Sequence, residues 1–588
     1  MKYPKFSFFL IIVLSCTKIA PSQTKLNNEW QTKFEKSNYL QTETYKETIN
    51  YFKKLESHSS FAKLISFGVS PQGRKLYCLL VSKDKSFTPA QAKRAGKPII
   101  FIENGIHAGE IEGKDASMIL LREILISKEK ENLLNHVILL VVPIFNVDGH
   151  ERFGKYNRIN QNGPEEMGWR TTAQNLNLNR DWMKADAPEM KSMLKLLSVW
   201  QPDFLIDSHT TDGADYQYTI TYAMEKFRNM NSLSRNWIKE KFIPFMEKKV
   251  EAADYLVAPY LEFKDRDWTK GIVDWAATPR FSQGYWALQN RPGLLIETHM
   301  LKPYKDRVFS TKAMFESVIE YANDHPKELI ELNKKADQST IEKYEKPNSY
   351  LPVTFNLSSK HSDFFFKGIK SISDSSWISG TIKTVYTGEK IDREIPYYNQ
   401  MDVVDSVQVP KAYLIPKEWK QIVDRMELHG IKVNELKSSQ TFVVKKYKFK
   451  DIKLASSSYE GRQTVNCKYD ELTDTVNLPK ETYLIYTNQR TLRVILNLLE
   501  PKSEDSFLRW GFFNSIFERK EYFENYVMEK VALQMLKENP SLKKEFEQKL
   551  STDEKFRKNP RERLNFFYER SPYYDKEFDI YPVMRIEM

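Results

Sequence analysis

The sequence predicts an α/β protein with a mixed, largely parallel sheet flanked by helices, followed by a β-rich domain and a helical C-terminal segment. In the first half of the 588 residues, short apolar runs alternate with helical spacing of apolar positions. Alternating strand-like runs with turn residues follow, and helical spacing returns after about residue 490. Because a single hydrophobic core stops growing well below this length, we expect several domains.

These shifts of pattern set the predicted boundaries. We expect a signal segment at 1–22, a first domain at 27–335, a β-rich domain at 345–485 and a mostly helical region at 486–588.

The N-terminus has the pattern of an export signal. Lys2 and Lys5 precede an apolar stretch at 6–14 that is too short to span a bilayer. The next residues resemble a bacterial lipobox ending in Cys16, and ordinary cleavage near 20–23 is the alternative. The prediction is a protein of the periplasm or cell envelope, lipid-anchored at Cys16, or otherwise a secreted one. A lipid on Cys16 would be its only attachment to a membrane.

The formal net charge of +11 is compatible with a polyanionic partner. Export argues against nucleic acid. Part of the excess lies in a tail at 543–563, where basic and acidic residues alternate as on a solvated helix face. Attraction to anionic envelope polymers or lipids stays open, and no nucleic-acid partner is predicted.

Strand-like runs predict the fold of the first domain. Runs at 61–67, 76–81, 97–103, 137–144 and 203–207 are strand-like, and 293–299 is predicted to be the last strand. Helical spacing follows the third run and recurs over 188–200. This alternation predicts a parallel or mixed sheet with helices on both faces.

Polar residues follow three of these strands. His107 and Glu110 stand three positions apart where a strand ends and a helix begins, and His209 follows another strand in the same way. At that spacing an imidazole and a carboxylate can reach one metal ion. Glu297 ends the apolar run of the last strand and could act as a general base or simply pair with a surface Lys.

A long irregular stretch runs from 145 to about 182 and carries Arg170, Asn179 and Arg180. Loops of this length are usually functional or disordered. Arginines and amide side chains beside a metal site indicate anion recognition, and a basic surface loop is the alternative.

The order of these features resembles the zinc carboxypeptidase family over about residues 30–330. The shared order is His-x-x-Glu, Trp-Arg, Asn-Arg, a strand-end His and a strand-end Glu. The resemblance implies a zinc carboxypeptidase-like catalytic domain at 27–335 that holds one Zn²⁺. It also implies a metallocarboxypeptidase that hydrolyses the C-terminal bond of peptides with a free terminal carboxylate, using a zinc-activated water.

Carried over by position, His107, Glu110 and His209 match the zinc ligands. Glu297 matches the general base and Arg170 the arginine that stabilises the oxyanion.

Asn179 and Arg180 match the pair that binds the substrate carboxylate. The sequence departs from the family pattern at Asn177, where many members have an Asp that orients a zinc-bound His. Tyr285 is our candidate for the family's mobile tyrosine.

Two other functions stay open at this point. A zinc amidohydrolase acting on cell-wall peptide stems or N-acyl amino acids would use the same residues. A non-catalytic envelope binding protein would not need Glu297. Other hydrolase motifs are missing, since the sequence contains neither His-Glu-x-x-His nor Gly-x-Ser-x-Gly.

The second half lacks catalytic motifs. Alternating runs at 380–386 and 441–444 predict β-structure, and 492–499, 507–517 and 522–536 are predicted helices. Similar tails follow the peptidase domain in some exported family members, so we expect this part to pack on the enzyme.

Overall fold

The computed structural model describes residues 29–588. The predicted signal segment at 1–22, with Cys16, lies outside the described residues. Within 29–588, no helix combines the length and the apolarity needed to cross a bilayer.

Ten strands lie between residues 29 and 300. They are β1 (Ala62–Val69), β2 (Lys75–Val81), β3 (Ile99–Asn104), β4 (Ile138–Val142), β5 (Phe204–Thr211), β6 (Ile220–Met224), β7 (Val257–Pro259), β8 (Glu262–Phe263), β9 (Ile272–Val273) and β10 (Gly293–His299). Eight of them form one sheet in the order β1-β2-β4-β3-β5-β10-β6-β7. β4, β3, β5 and β10 are mutually parallel neighbours, and the remaining strands add both orientations. The predicted mixed, largely parallel sheet is confirmed.

Helices cover both faces of this sheet. They are α1 (Lys33–Lys36), α2 (Tyr45–His58), α3 (Pro89–Ala95), α4 (Glu112–Leu125), α5 (Val147–Glu151), α6 (Pro188–Trp200), α7 (Ser232–Trp237), α8 (Ile243–Glu251), α9 (Ser282–Leu288), α10 (Tyr304–Asp324) and α11 (Pro326–Tyr344). Every residue of β3 and β4 is buried, as expected for parallel strands covered on both faces. These strands are nearly continuous apolar runs for that reason.

The second half adds ten strands and six helices. The strands are β11 (Tyr350–Leu357), β12 (Ser362–Ser375), β13 (Ile382–Tyr398), β14 (Met401–Gln408), β15 (Ala412–Ile415), β16 (Asn434–Glu435), β17 (Gln440–Leu454), β18 (Val465–Leu478), β19 (Tyr483–Tyr486) and β20 (Met584–Ile586). The helices are α12 (Lys420–Leu428), α13 (Leu492–Leu499), α14 (Asn525–Glu538), α15 (Pro540–Thr552), α16 (Glu554–Lys558) and α17 (Pro560–Tyr568). The predicted β-rich region and C-terminal helices are confirmed.

The two halves share structure. β13 pairs with β9 of the first half, and β20, near the C-terminus, pairs with β15 and β17. One hydrophobic cluster unites Trp182 and Trp286 with Tyr413, Ile485 and Trp510. The boundaries at 345 and 486 stay predictions, but the apolar core crosses the first of them.

One helix prediction is wrong. Residues 507–517 form turns and a short 3-10 helix, Asn514–Phe517, rather than an α-helix. Gly511 has φ +77°, a left-handed backbone conformation that ends a helix. Apolar side chains recur here because the segment is buried, and burial produces the same pattern in a helix and in an irregular segment.

Candidate active site

Three neighbouring strands bring the predicted site residues together. His107 lies three residues beyond β3, and β5 carries His209. The parallel register of β5 and β10 places Glu297 directly beside His209. Glu110 lies in the turn before α4. Because the carboxyl ends of parallel strands share one edge, residues far apart in sequence meet there.

His107, Glu110 and His209 form a buried cluster. Glu110 Oε2 lies 3.1 Å from His107 Nδ1 and 3.0 Å from His209 Nδ1. The two Nδ1 atoms are 3.1 Å apart. Each of the three residues is at most 4% exposed. One carboxylate oxygen and two imidazole nitrogens facing a common point form a donor set that suits Zn²⁺.

The Nε2 atoms of both histidines, which face away from the cluster, already form hydrogen bonds. His107 Nε2 donates to Asn177 Oδ1 at 3.1 Å, and His209 Nε2 donates to Asp207 Oδ2 at 2.8 Å. When both rings are neutral, these bonds place the proton on Nε2 and leave the Nδ1 lone pairs facing Glu110. Such partners orient metal-bound histidines in proteins. The cluster therefore fits a cation that satisfies both lone pairs.

Burial and neighbouring charges shift the pKa values of His107 and His209 in opposite directions. Burial lowers the pKa of His107 to about 4. Burial also opposes charge on His209, but the Asp207 carboxylate outweighs it and raises the pKa of His209 well above its usual range. A metal ion bound at Nδ1 must displace a proton from His209, so metal affinity should increase with pH.

Two arginines approach the other oxygen of Glu110. Arg158 Nη2 lies 2.6 Å and Arg170 Nη1 lies 3.1 Å from Glu110 Oε1. Arg170 is partly exposed and lines the adjacent cleft. Its guanidinium is therefore held next to the cluster, where negative charge can be stabilised.

Glu297 is largely buried beside the cluster. Burial raises the pKa of Glu297 to about 8, while His209 opposes the increase and Glu110 adds to it. Among the described residues, nothing hydrogen-bonds to its buried Oε2. A carboxylate without a structural partner, next to a metal-type cluster, is available to exchange a proton.

A cleft of about 630 Å³ opens over the cluster and contains Glu297, Arg170, Asn179 and Arg180 in its walls. Asn179 is buried, with Oδ1 accepting the Ser282 N–H at 3.0 Å.

The Arg180 guanidinium stacks over the Phe281 ring at 4.2 Å and donates to the Asn179 carbonyl at 2.7 Å. No carboxylate between residues 29 and 588 forms an ion pair with Arg180. Its charge is therefore free to bind an anion that enters the cleft.

The structure places Tyr285 elsewhere, so our expectation of a mobile tyrosine at this position is wrong. Tyr285 is 2% exposed, stacks on Trp182 at 5.3 Å and has its hydroxyl 3.0 Å from His429 Nδ1. It belongs to the core between the two halves. Tyr260 is a tyrosine that does line the cleft.

Sequence reasoning missed three residues of the site. Asp207 carried a usable signal, because alternate residues of a strand share a face and Asp207 stands two before His209. Ser282 and Arg158 carried no such signal in the sequence. The Ser282 hydroxyl donates to Asp207 at 2.6 Å. Ser282 and Arg158 reach the site only through tertiary packing.

Comparison with known proteins finds similarity to carboxypeptidases. Residues 48–241 match the family model described as zinc carboxypeptidase. Carboxypeptidase 2 of Trichophyton rubrum is 24% identical over 459 residues, which cover 75% of this chain and 78% of the relative. Human carboxypeptidase A6 is 27% identical over 167 residues, covering 26% of this chain and 35% of the relative. The chain is thus similar to zinc carboxypeptidases over residues 48–241 and to carboxypeptidase 2 over a longer stretch.

The domain match and the relatives support a hydrolase of the metallocarboxypeptidase class. The match to the fungal relative is longer than the predicted catalytic region, so it includes part of the second half.

Solved structures similar to this chain include two carboxypeptidases. A metallo-carboxypeptidase from Burkholderia cenocepacia has 16% identity and a TM-score of 0.36, covering 48% of this chain and 70% of that chain. Carboxypeptidase A from Helicoverpa armigera has 17% identity and a TM-score of 0.33, covering 50% and 73%.

Proposed function

We propose that this protein is a zinc-dependent carboxypeptidase that removes one residue from the C-terminus of peptides. One observation carries the proposal: the cleft that holds Glu297 beside a His-Glu-His cluster also holds Arg180, with which no carboxylate of residues 29–588 forms an ion pair. Such a group next to hydrolytic machinery suits a substrate that ends in a free carboxylate.

His107, Glu110 and His209 would hold the zinc. A zinc ion held there would polarise the scissile carbonyl as a Lewis acid and make a water molecule more acidic. Asn177 and Asp207 hold both imidazoles with Nδ1 facing Glu110, the third residue that would hold the ion.

Glu297 acts as the general base. It takes a proton from the attacking water and delivers that proton to the nitrogen of the leaving amino acid. Its raised pKa in the metal-free protein favours the protonated form, and a cation held by the cluster would favour the carboxylate form that a base needs. Arg170 stabilises the negative charge that develops on the carbonyl oxygen.

Arg180 binds the terminal carboxylate of the substrate, with Asn179 beside it. Fixing that carboxylate places the last peptide bond, and no other, next to Glu297. Release of a single residue at a time follows from this geometry.

The test uses matched peptides, one with a free C-terminus and one amidated, incubated with the zinc-loaded protein. Mass spectrometry should detect loss of one residue from the free peptide only. Cleavage of neither peptide, with stoichiometric zinc bound, would reject peptide carboxypeptidase activity. Cleavage of cell-wall stem peptides or N-acyl amino acids instead would assign the zinc amidohydrolase function.

Two variants test the roles. Glu297→Gln should abolish turnover and retain zinc, because Glu297 is not a ligand; loss of zinc would contradict its role as base. Arg180→Ala should lower kcat/KM for free peptides roughly 10- to 100-fold, the usual effect of losing a charge-assisted hydrogen bond. Arg94→Ala, at an exposed position on α3, is the matched control. An Arg180→Ala variant with unchanged kcat/KM would contradict its role in carboxylate binding.

A further inference from the structure

The hairpin of β17 and β18 reaches from the second half to the active site. Its tip is closed by two backbone hydrogen bonds between Tyr459 and Arg462, of 2.9 and 3.0 Å. Glu460 and Gly461 have φ values of +48° and +75°, as a tight two-residue hairpin turn requires. The turn presents the side chains of Tyr459 and Glu460 to the first half.

The hairpin tip is fixed in place by ion pairing. Arg462 makes two hydrogen bonds to Asp186 of the first half, of 2.8 and 2.6 Å, and its guanidinium stacks 3.6 Å over the Phe512 ring. Bidentate arginine–carboxylate pairs constrain orientation as well as distance. The tip is therefore held in one position relative to the cleft.

Glu460 contacts the segment that carries the proposed substrate-binding residues. Its Oε2 accepts the backbone N–H of Asn177 at 2.9 Å. Asn177 Oδ1 accepts from His107 Nε2 at 3.1 Å and from the Asn179 N–H at 3.0 Å. One carboxylate from the second half thus supports the short helix Leu178–Arg180, which contains Asn179 and Arg180 and adjoins a proposed metal ligand.

Tyr459 lies on the Arg180 side of this segment. Burial lowers the pKa of Arg180, and Tyr459 and Glu460 are protein groups that oppose this effect. The Tyr459 ring stacks on Trp510, with centroids 5.8 Å apart and planes within 8°. Tyr459 is 41% exposed.

Arg280 joins this wall from the first half. Its guanidinium lies 5.0 Å from the Trp510 ring and 5.9 Å from the Tyr459 ring, and its Nε is 2.7 Å from Asp505. The neighbouring Phe281 supports Arg180 from the cleft side. Both halves of the chain therefore build the surroundings of Arg180.

We propose that the second half completes the substrate site, with Glu460 positioning the Asn177–Arg180 segment and Tyr459 positioning the Arg180 guanidinium for the terminal carboxylate. This inference rests on the proposed function. Its physical reason is that an arginine binds a carboxylate strongly only when its planar group is held in the correct orientation. A loop of this kind needs an external support, and among residues 29–588 the acceptor of the Asn177 N–H is Glu460 of the second half.

Steady-state kinetics on a free-carboxylate peptide test the proposal in the full-length zinc-loaded protein. Glu460→Ala should raise KM and lower kcat/KM about tenfold, because the Asn177 N–H loses its acceptor. Glu460→Gln retains an oxygen acceptor and should restore most of the activity. Glu471→Ala, an exposed carboxylate on the same hairpin, is the control. Equal kinetics for wild type, Glu460→Ala and Glu471→Ala would overturn the role of Glu460.

Tyr459→Ala should raise KM severalfold and leave kcat nearly unchanged, since Tyr459 acts on carboxylate binding. Tyr486→Ala is matched in exposure, at 40%, and should leave KM unchanged. A fall in kcat with constant KM would overturn the assignment of Tyr459.

Peptide binding measured by calorimetry in the Glu297→Gln background gives a readout independent of turnover. There Glu460→Ala should weaken binding of the free peptide about tenfold while zinc content and melting temperature stay constant. Unchanged affinity would overturn the proposal. If wild type itself cleaves no free peptide, the proposed function fails; if wild type cleaves and these variants match it, only this inference fails.

Discussion

His429 makes the contact between the two halves sensitive to acid. It caps the C-terminus of α12, is 1% exposed, and lies between Tyr285 and Met183 of the first half. Nε2 donates to the Met183 carbonyl at 3.1 Å, and Nδ1 accepts from the Tyr285 hydroxyl at 3.0 Å. Burial lowers the pKa of His429 to about 4. The neutral ring is the form that fits this site.

The size of the pH effect on stability follows from the difference between the pKa of His429 in the unfolded and in the folded protein. An unfolded histidine has a pKa of about 6.5, so on acidification the unfolded chain binds the proton before the folded one. The stability that the neutral His429 contributes is therefore fully present above about pH 6.5 and is lost as pH falls towards about 4. On acidification from about pH 7 to about pH 5, His429 should therefore lower the free energy of unfolding by about 2 kcal/mol.

Urea unfolding followed by tryptophan fluorescence at both pH values measures this loss. His429→Gln keeps a donor and an acceptor but cannot be protonated, so it should lose about 2 kcal/mol less than wild type on acidification. His150 and His299, whose pKa values burial also lowers to about 4, affect wild type and variant equally. His361→Gln, at an exposed position, is the control. An identical acid-induced loss in wild type and His429→Gln would refute the reasoning.

Other predictions concern the cluster and the second half. Gly113→Ala should destabilise the fold by roughly 1–3 kcal/mol in thermal unfolding, because the added Cβ would lie 2.1 Å from Ser208 Oγ; an unchanged melting temperature would contradict this. Asp207→Asn should weaken zinc binding roughly 10- to 100-fold in chelator competition, because the His209 ring loses its charged partner; unchanged affinity would show that Asp207 does not tune the metal. Truncation to residues 1–344 should give an aggregating protein in size-exclusion chromatography, because it exposes the apolar core that both halves share. A monomeric, stable fragment would show that the first half folds alone.

The strand-end residues of the candidate site could be predicted because they depend on local pattern. Apolar runs identify buried strands, and parallel strands present their carboxyl ends at one edge. His107, Glu110, His209 and Glu297 each follow or end such a run, so their convergence follows from order along the chain.

Tyr285 marks the limit of that reasoning. Its sequence neighbourhood does not distinguish a cleft residue from a core residue, because aromatic side chains occur at helical spacing in both. Contact with Trp182 and His429 decided its place, and His429 lies 144 positions away.

The sequence by itself determined the chemistry of this protein: which side chains follow the buried strands, and hence a His-Glu-His cluster beside a carboxylate and basic side chains. Only the tertiary structure decided what surrounds that chemistry. Asp207 and Asn177 orient the imidazoles, and Glu460 supports the cleft from a hairpin 283 positions beyond Asn177. Local periodicity specifies strands and helices, whereas such contacts depend on how two halves pack around a common core, which no short stretch of sequence encodes.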